Sequence, residues 1–322
     1  MIISKTPFRI SFAGGLSDLK EYYQHGFGAV VSSTINKYIY VTVNRKFDDK
    51  IRVSYSKTEI VDTVDQIQHP IVREALKLTQ LDGGIEITTI ADIPSGTGLG
   101  SSSSFAVGLL NALYTYKHEH KGAEVLAREA AHIEIDLLHE PIGKQDQYAA
   151  AYGGLNHIRF NADDTVFVNP IVLKKTVKAE LDKNLLLFYT GVHRQARTIL
   201  SESKNNMPYL SSEVDMIRDL AEEMAASLRQ NDLSRFGEIL HQAWEVKKKT
   251  GKVTNPEIDH LYEKARSAGA LGGKILGAGG GGFLLMYCEQ ERQENVRRAL
   301  APLREEEFHL EPQGSRIIYV EG

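Results

Sequence analysis

The sequence predicts an α+β fold in two parts, on two observations: strand-like runs come in blocks instead of alternating with helices, and a charged stretch interrupts the chain past its middle. Residues 38–43, 51–55 and 85–90 are β-branched and aromatic runs, while Ile71, Val72, Ala75 and Leu76 repeat at helical spacing. Helices are expected next over residues 103–118 and 123–138, the second stopped by Pro141. Strands at 155–160 and 166–173 lead into charged residues 174–182, read as a linker that separates a domain of residues 1–178 from one of residues 179–322. The second part opens with a strand at 185–189. Helical patterns then run from Gln195 to Ala268, and a glycine-rich stretch at 272–282, an apolar run at 283–287, a helix near 292–303 and a strand at 317–320 complete it.

The 322 residues carry 38 Lys+Arg against 42 Asp+Glu, a net charge of −4, with 42% hydrophobic residues. That composition excludes disordered and collagen-like chains, and without a basic run nucleic acid is not an expected partner. Cys288 is the only cysteine, so no intrachain disulfide and no cysteine-based zinc site forms, and a reducing compartment is the simplest setting. Lys5 and Arg9 interrupt the apolar N-terminus, so no secretion signal is read. Residues 93–116 are uncharged, but their first half is Pro94, glycines and serines, short of the ~20 apolar residues of a membrane span. A cytoplasmic protein without a membrane partner is expected.

The sharpest motif is Pro94-Ser95-Gly96-Thr97-Gly98-Leu99-Gly100-Ser101-Ser102-Ser103-Ser104, between an expected strand and an expected helix. Glycines let the backbone approach a ligand, and a helix N-terminus offers unpaired N–H groups to an anion. The serines add hydroxyls for phosphate oxygens or a metal ion; a flexible linker is the bland alternative. Other phosphate signatures fail. Gly273-Lys274 is followed by Ile275, so no P-loop exists, and the G-x-G-x-x-G string from Gly277 to Gly282 comes too late for a dinucleotide fold.

Two carboxylates stand out. Ala127, Ala130, Ala131, Glu134, Leu137 and Leu138 share one helical stripe, so Glu134 sits among apolar residues and needs a cation, a metal such as Mg²⁺ or a shifted pKa. An ordinary buried ion pair is the alternative. Asp146, in the cluster from Gly143 to Tyr148, is placed to take a proton from a hydroxyl, with Lys144 supplying positive charge, although a solvated turn also fits. The segment from Pro7 to Asp18 sets Arg9 in an apolar strand ahead of a glycine turn and an acid.

Taken together, these pieces resemble the GHMP kinase superfamily, named for galactokinase, homoserine kinase, mevalonate kinase and phosphomevalonate kinase. Pro7 to Asp18 looks like its first motif, Pro94 to Ser104 like its phosphate-binding second motif, and Lys274 to Phe283 like its third. The resemblance implies an N-terminal domain like ribosomal protein S5 domain 2, a ferredoxin-like C-terminal domain and a site between them. It implies that Pro94, Ser95, Gly96, Thr97, Gly98, Leu99, Gly100, Ser101, Ser102 and Ser103 wrap ATP, that Ser102 and Glu134 hold Mg²⁺, and that Asp146 acts as base near Arg9 and Lys144. Gly14, Gly15 and Asp18 would face the acceptor, and Gly279, Gly280 and Gly281 would line the cleft from the second domain.

Within the superfamily the wording most resembles the D-glycero-D-manno-heptose 7-phosphate kinases, which phosphorylate the anomeric hydroxyl of a sugar phosphate. The carrying stretches run from Arg9 to Gly15, Gly143 to Tyr148, and Asn255 to Asp259 leading on to Lys274. Leu16 departs from the glycine usual there, and Arg9 falls where several relatives carry lysine. Lys144, His193, Arg194 and Arg197 are the candidate anchors for the substrate's own phosphate, with Arg194 placed at the substrate. The rival readings are a fucose-type or other free-sugar kinase and a catalytically silent sugar or nucleotide sensor. The intact set of Ser102, Glu134 and Asp146 argues for an enzyme.

Overall fold

One long strand, Phe27–Arg45, organises an eight-stranded sheet, its valines, isoleucines, threonines and tyrosines favouring extended backbone. Ile2–Ala13 pairs antiparallel along one edge. The other edge is shared by Leu155–Asn161, opposite residues 27–33, and Ile85–Ala91, opposite residues 39–45. Ile51–Ser54 joins Ile85–Ala91 in parallel and carries Thr58–Val61 outside it, while Val166–Pro170 flanks Leu155–Asn161. Arg316–Val320, near the end of the chain, returns to pair with the first strand. The computed structural model describes residues 1–191 and 196–321, the side chains of residues 196–198 excepted.

Register within the first strand is not uniform. Pro7 has no N–H to give a ladder, and the pairing slips between Pro7 and Phe8; a second slip between Ser11 and Ala13 releases the chain into the turn at Gly14. The second sheet is four-stranded and antiparallel, in the order Arg304–Glu305, Leu185–Tyr189, Phe283–Tyr287, Gly272–Ile275.

Helix Ser101–Tyr116 packs against the first sheet, buried from Ser103 to Tyr114, because small residues bring it close to the first strand. A Cβ on Gly108 would lie 2.6 Å from Thr6 Oγ1. Helices Met207–Arg229 and Leu233–Lys247 pack on each other, one against the first sheet and the other against Gly272–Ile275. Phe236 sits at this joint, its ring edge-on to Phe12 at 5.2 Å and to Tyr287 at 5.4 Å.

Two expectations are corrected. Residues 174–182 are not an extended linker but belong to helix Lys175–Asn184, because Val177, Leu181 and Asn184 share one side and Leu181 is fully buried. The helix expected over 123–138 is regular only as Ala123–Ala131 and passes into a π-helical turn, His132–Leu137. That wider turn breaks the apolar stripe after Glu134, leaving Leu137 exposed. Among the described residues no helix is long and apolar enough to cross a membrane.

The returning C-terminal segment passes Gly153, whose φ is +70° and where a Cβ would lie 2.0 Å from the Gly314 nitrogen. Gly153→Ala should therefore cost about 2–4 kcal/mol from strain and overpacking together. Chemical denaturation should show an earlier midpoint, and an unchanged one would mean that the segment moves aside freely.

Candidate active site

Between the two sheets lies a cleft of 260 Å³ lined by Arg9, Asp18, Gly98, Ser102, Glu134 and Asp146, among others. Its floor is the loop ahead of helix Ser101–Tyr116. Gly96, Gly98 and Gly100 all take positive φ, and Gly100 leads straight into the helix, whose first N–H groups have no side-chain cap. The loop is fastened on two sides. Arg9 N donates to the Leu99 carbonyl at 3.1 Å, and a Cβ on Gly98 would lie 2.5 Å from the Leu276 carbonyl oxygen of the other sheet's loop. Gly96, Gly98, Gly100, Ser101, Ser102 and Ser103 line the cleft; Thr97 and Leu99 are buried beneath it, and Pro94 and Ser95 lie on the exposed approach.

Arg9 and Asp146 form a two-pronged pair: Nε donates to Oδ1 at 2.6 Å and Nη2 to Oδ2 at 2.5 Å. The third arm, Nη1, donates to the Gly98 carbonyl at 2.6 Å. Asp146 is thus held rigidly at the N-terminus of helix Gln145–Tyr152, with a lone pair on each oxygen still open to a ligand. Asp18 lies beside it, buried, accepting from Leu16 N at 3.1 Å and Gln145 N at 3.3 Å. Burial, then the Asp146 charge, pushes the Asp18 carboxyl up to about 6. Gly143 is required there because a Cβ would lie 2.0 Å from Asp18 Oδ2.

Glu134 reaches the helix N-terminus from the π turn. Its carboxylate accepts from Ser102 Oγ at 2.6 Å, Ser103 Oγ at 2.7 Å and Gln147 Nε2 at 2.6 Å. Burial pushes its pKa up, the three hydrogen bonds oppose that, and no Lys or Arg among the described residues pairs with it. A buried carboxylate without a cation suits a metal ion. Among the described residues no cluster of three or more metal-ligating His, Cys, Asp or Glu forms, so the donor set of one carboxylate and one hydroxyl fits an ion that keeps its waters, as Mg²⁺ does.

Other expected residues fall elsewhere. Lys144 turns away from the cleft, its Nζ donating to Asp164 Oδ1 at 2.7 Å, because that carboxylate and the Tyr23 ring offer it a pairing outside. Gly14 is structural, since a Cβ would lie 2.0 Å from the Ala29 carbonyl oxygen, whereas Gly15 lines the cleft. Gly279 and Gly280 pack on Val253, and the glycine-rich loop meets the cleft through Gly277 and Ala278 instead; Gly281 is not in the wall. His193, Arg194 and the Arg197 side chain lie outside the described residues.

Among the cleft residues that sequence reasoning missed are two lysines and a serine. Lys247 Nζ donates to the Gly277 carbonyl at 2.7 Å and Lys274 Nζ to the Phe12 carbonyl at 3.1 Å, both lysines being buried. Ser11 Oγ, also buried in the wall, has no hydrogen-bond partner among the described residues. The signal for Lys247 was present: it follows Phe236, Leu240, Ala243 and Trp244 on one apolar helix stripe, as Glu134 does on its own.

The chain matches the family models for the GHMP kinases N-terminal domain over residues 63–154 and the GHMP kinases C-terminal domain over residues 224–303. It is 31% identical to the D-glycero-alpha-D-manno-heptose 7-phosphate kinase of Campylobacter jejuni, covering 93% of each chain. A crystal structure described as a D-glycero-D-manno-heptose 1-phosphate kinase from Bacteroides thetaiotaomicron superposes with a TM-score of 0.83 at 27% identity, over 100% of both chains. The L-fucokinase/L-fucose-1-P guanylyltransferase of Bacteroides fragilis is 27% identical over 90% of this chain and 35% of its own. The protein belongs to the GHMP kinase family. It is a phosphotransferase with an alcohol group as acceptor, of the sugar-kinase kind.

Burial lowers the Lys247 ammonium from 10.5 to about 8, with Arg9 adding repulsion. Because the folded value lies below the ordinary one, the penalty is absent above pH 10.5 and complete below about 8. It amounts to about 3 kcal/mol, against about 1 kcal/mol for the bond to Gly277. Lys247→Met should therefore raise the melting temperature of the ligand-free protein at pH 7, by a margin that shrinks from pH 8 upward. A lower melting temperature at pH 7 would show that the ammonium is already balanced.

Proposed function

We propose that the protein transfers the γ-phosphate of ATP to the anomeric hydroxyl of a sugar phosphate, D-glycero-D-manno-heptose 7-phosphate, to give the 1,7-bisphosphate, in the cytoplasm. The observation that carries this reading is that the Arg9–Asp146 pair lines the same cleft as the bonded Ser102 and Glu134 at a helix N-terminus. Ser102, Glu134 and the helix N-terminus suit phosphate and a divalent ion; the Arg9–Asp146 pair offers a fixed carboxylate for a hydroxyl. The likeness to the Campylobacter heptose 7-phosphate kinase supports the sugar.

In this reading the loop from Gly96 to Ser103 holds the triphosphate through backbone N–H groups, and Asp146 orients the acceptor hydroxyl and takes its proton. The acceptor oxygen forms its bond to the γ-phosphorus as the bond to the bridging oxygen breaks and ADP leaves. Ser102 and Glu134 would hold Mg²⁺, which neutralises phosphate charge when bound. Arg9 keeps Asp146 in place and adds positive charge beside the reacting oxygens. The anomeric hydroxyl is more acidic than other sugar hydroxyls, so a carboxylate suffices as base.

Asp146→Asn should lose turnover by roughly 10²–10⁴-fold while still binding ATP; near-normal kcat in the folded variant would remove the base assignment. Glu134→Gln should raise the Mg²⁺ concentration needed for half-maximal rate, and an unchanged requirement would remove the ligand assignment. Phosphorus NMR of the product should show an acid-labile anomeric phosphate beside the original ester. Equal turnover of the unphosphorylated sugar would replace this substrate with a free sugar, the alternative that the likeness to L-fucokinase supports.

A further inference from the structure

The chemistry above leaves two buried cations unused. Lys247 and Lys274 come from different elements, the last turn of helix Leu233–Lys247 and strand Gly272–Ile275, yet both line the cleft that Arg9 and Asp146 occupy. Each ammonium has three donors and is given one carbonyl. Among the described residues, neither has a carboxylate within ion-pairing distance: Asp146 is taken up by Arg9, and Asp18 is held by backbone N–H groups. Charges bearing on Lys274 are those of Lys247 and Arg9, both of its own sign. Ser11 Oγ stands in the same wall, buried and without a partner among the described residues.

A buried cation beside other cations is costly unless an anion completes it. We propose that Lys247, Lys274 and Ser11 form a site for a phosphoryl group bearing two negative charges, bound in the cleft that the Arg9–Asp146 pair also lines. The inference rests on the proposed reaction, which brings two such groups into the cleft: the phosphate that the acceptor already carries and the phosphoryl in transfer. Position favours neither outright. Lys247 is tied to Gly277, whose backbone abuts Gly98 of the phosphate loop, while Lys274 is tied to Phe12, on the acceptor side of the first strand.

Inorganic phosphate is the probe for the site itself. With the nucleotide side saturated by ADP and Mg²⁺, phosphate should raise the melting temperature of the wild-type protein, and this shift should be lost in Lys274→Met and reduced in Lys247→Met. Ser11→Ala serves as the mildest variant, expected to weaken the phosphate response without disturbing the fold. Kinetics then separate the sources. A rise of about 10- to 100-fold in KM for the sugar phosphate, with little change for the unphosphorylated sugar, assigns the site to the acceptor's own phosphate. An equal fall in kcat with both acceptors assigns it to the phosphoryl in transfer. Phosphate responses and kinetic constants unchanged in both methionine variants would overturn the proposal. Should phosphate binding depend on the lysines while no heptose phosphate is turned over, the site stands and the substrate reading falls.

Discussion

The Arg9–Asp146 pair is the interaction on which the cleft depends. Arg9 comes from the first strand, Asp146 from the first turn of a helix, and the remaining guanidinium arm grips the carbonyl of Gly98 in the loop ahead of helix Ser101–Tyr116. Three segments far apart in sequence are thereby held in one geometry. A lysine in the same position has a single ammonium and no planar fork, so it would hold the carboxylate or the loop with less definition. The pair is also shielded, with the arginine side chain 5% exposed and the carboxylate 21%, which strengthens its electrostatics and makes the loss of either partner expensive.

Around that pair the two sheets meet through backbone. Gly98 touches Leu276 and Gly277, and Gly282 faces the carbonyl of Thr97, at separations that leave no room for a Cβ. Glycine therefore serves two ends here: left-handed turns that aim N–H groups at a ligand, and contact between loops of opposite sheets. The loop around Gly98 cannot shift without moving the glycine-rich loop, and the Lys247 bond to Gly277 extends the connection into the helix that spans the sheets. Movement of one sheet relative to the other would be felt at once by whatever the loop holds.

Much of this was legible in the sequence because the signals were local. The glycine-serine run names its own conformation, and a carboxylate on an apolar stripe, as Glu134 is, announces itself as buried. What sequence periodicity could not show was the π turn that shifts the stripe after Glu134, since one extra residue in a turn changes phase without changing composition. Lys144 misled because proximity to Asp146 in sequence is not proximity of side chains: neighbouring residues on a helix start point apart, and Asp164 was waiting on the other side. Charge density misled at residues 174–182, where a single buried edge sufficed to make a helix. Lys247 carries the same stripe signal as Glu134, a charged residue on an apolar helix face, while Lys274 precedes a glycine run in a strand too short for such a periodicity to show.

Leu16 shows how the turn beside Asp18 is fixed. Its φ of +85° is one that glycine adopts freely and leucine does not, at a cost of roughly 1–2 kcal/mol. The side chain is buried in a small cluster with Leu19, Tyr22, Met207 and Val214, and burial of a leucine stabilises by about 1.5–3 kcal/mol, enough to offset the strain. Glycine would relieve the backbone and remove the anchor. With leucine, the turn whose N–H holds Asp18 packs on helix Met207–Arg229, so that this buried acid is positioned by the same helical layer that positions Lys247. Strain at one residue is thus offset by packing that ties the turn beside Asp18 to the helical layer at the joint between the sheets.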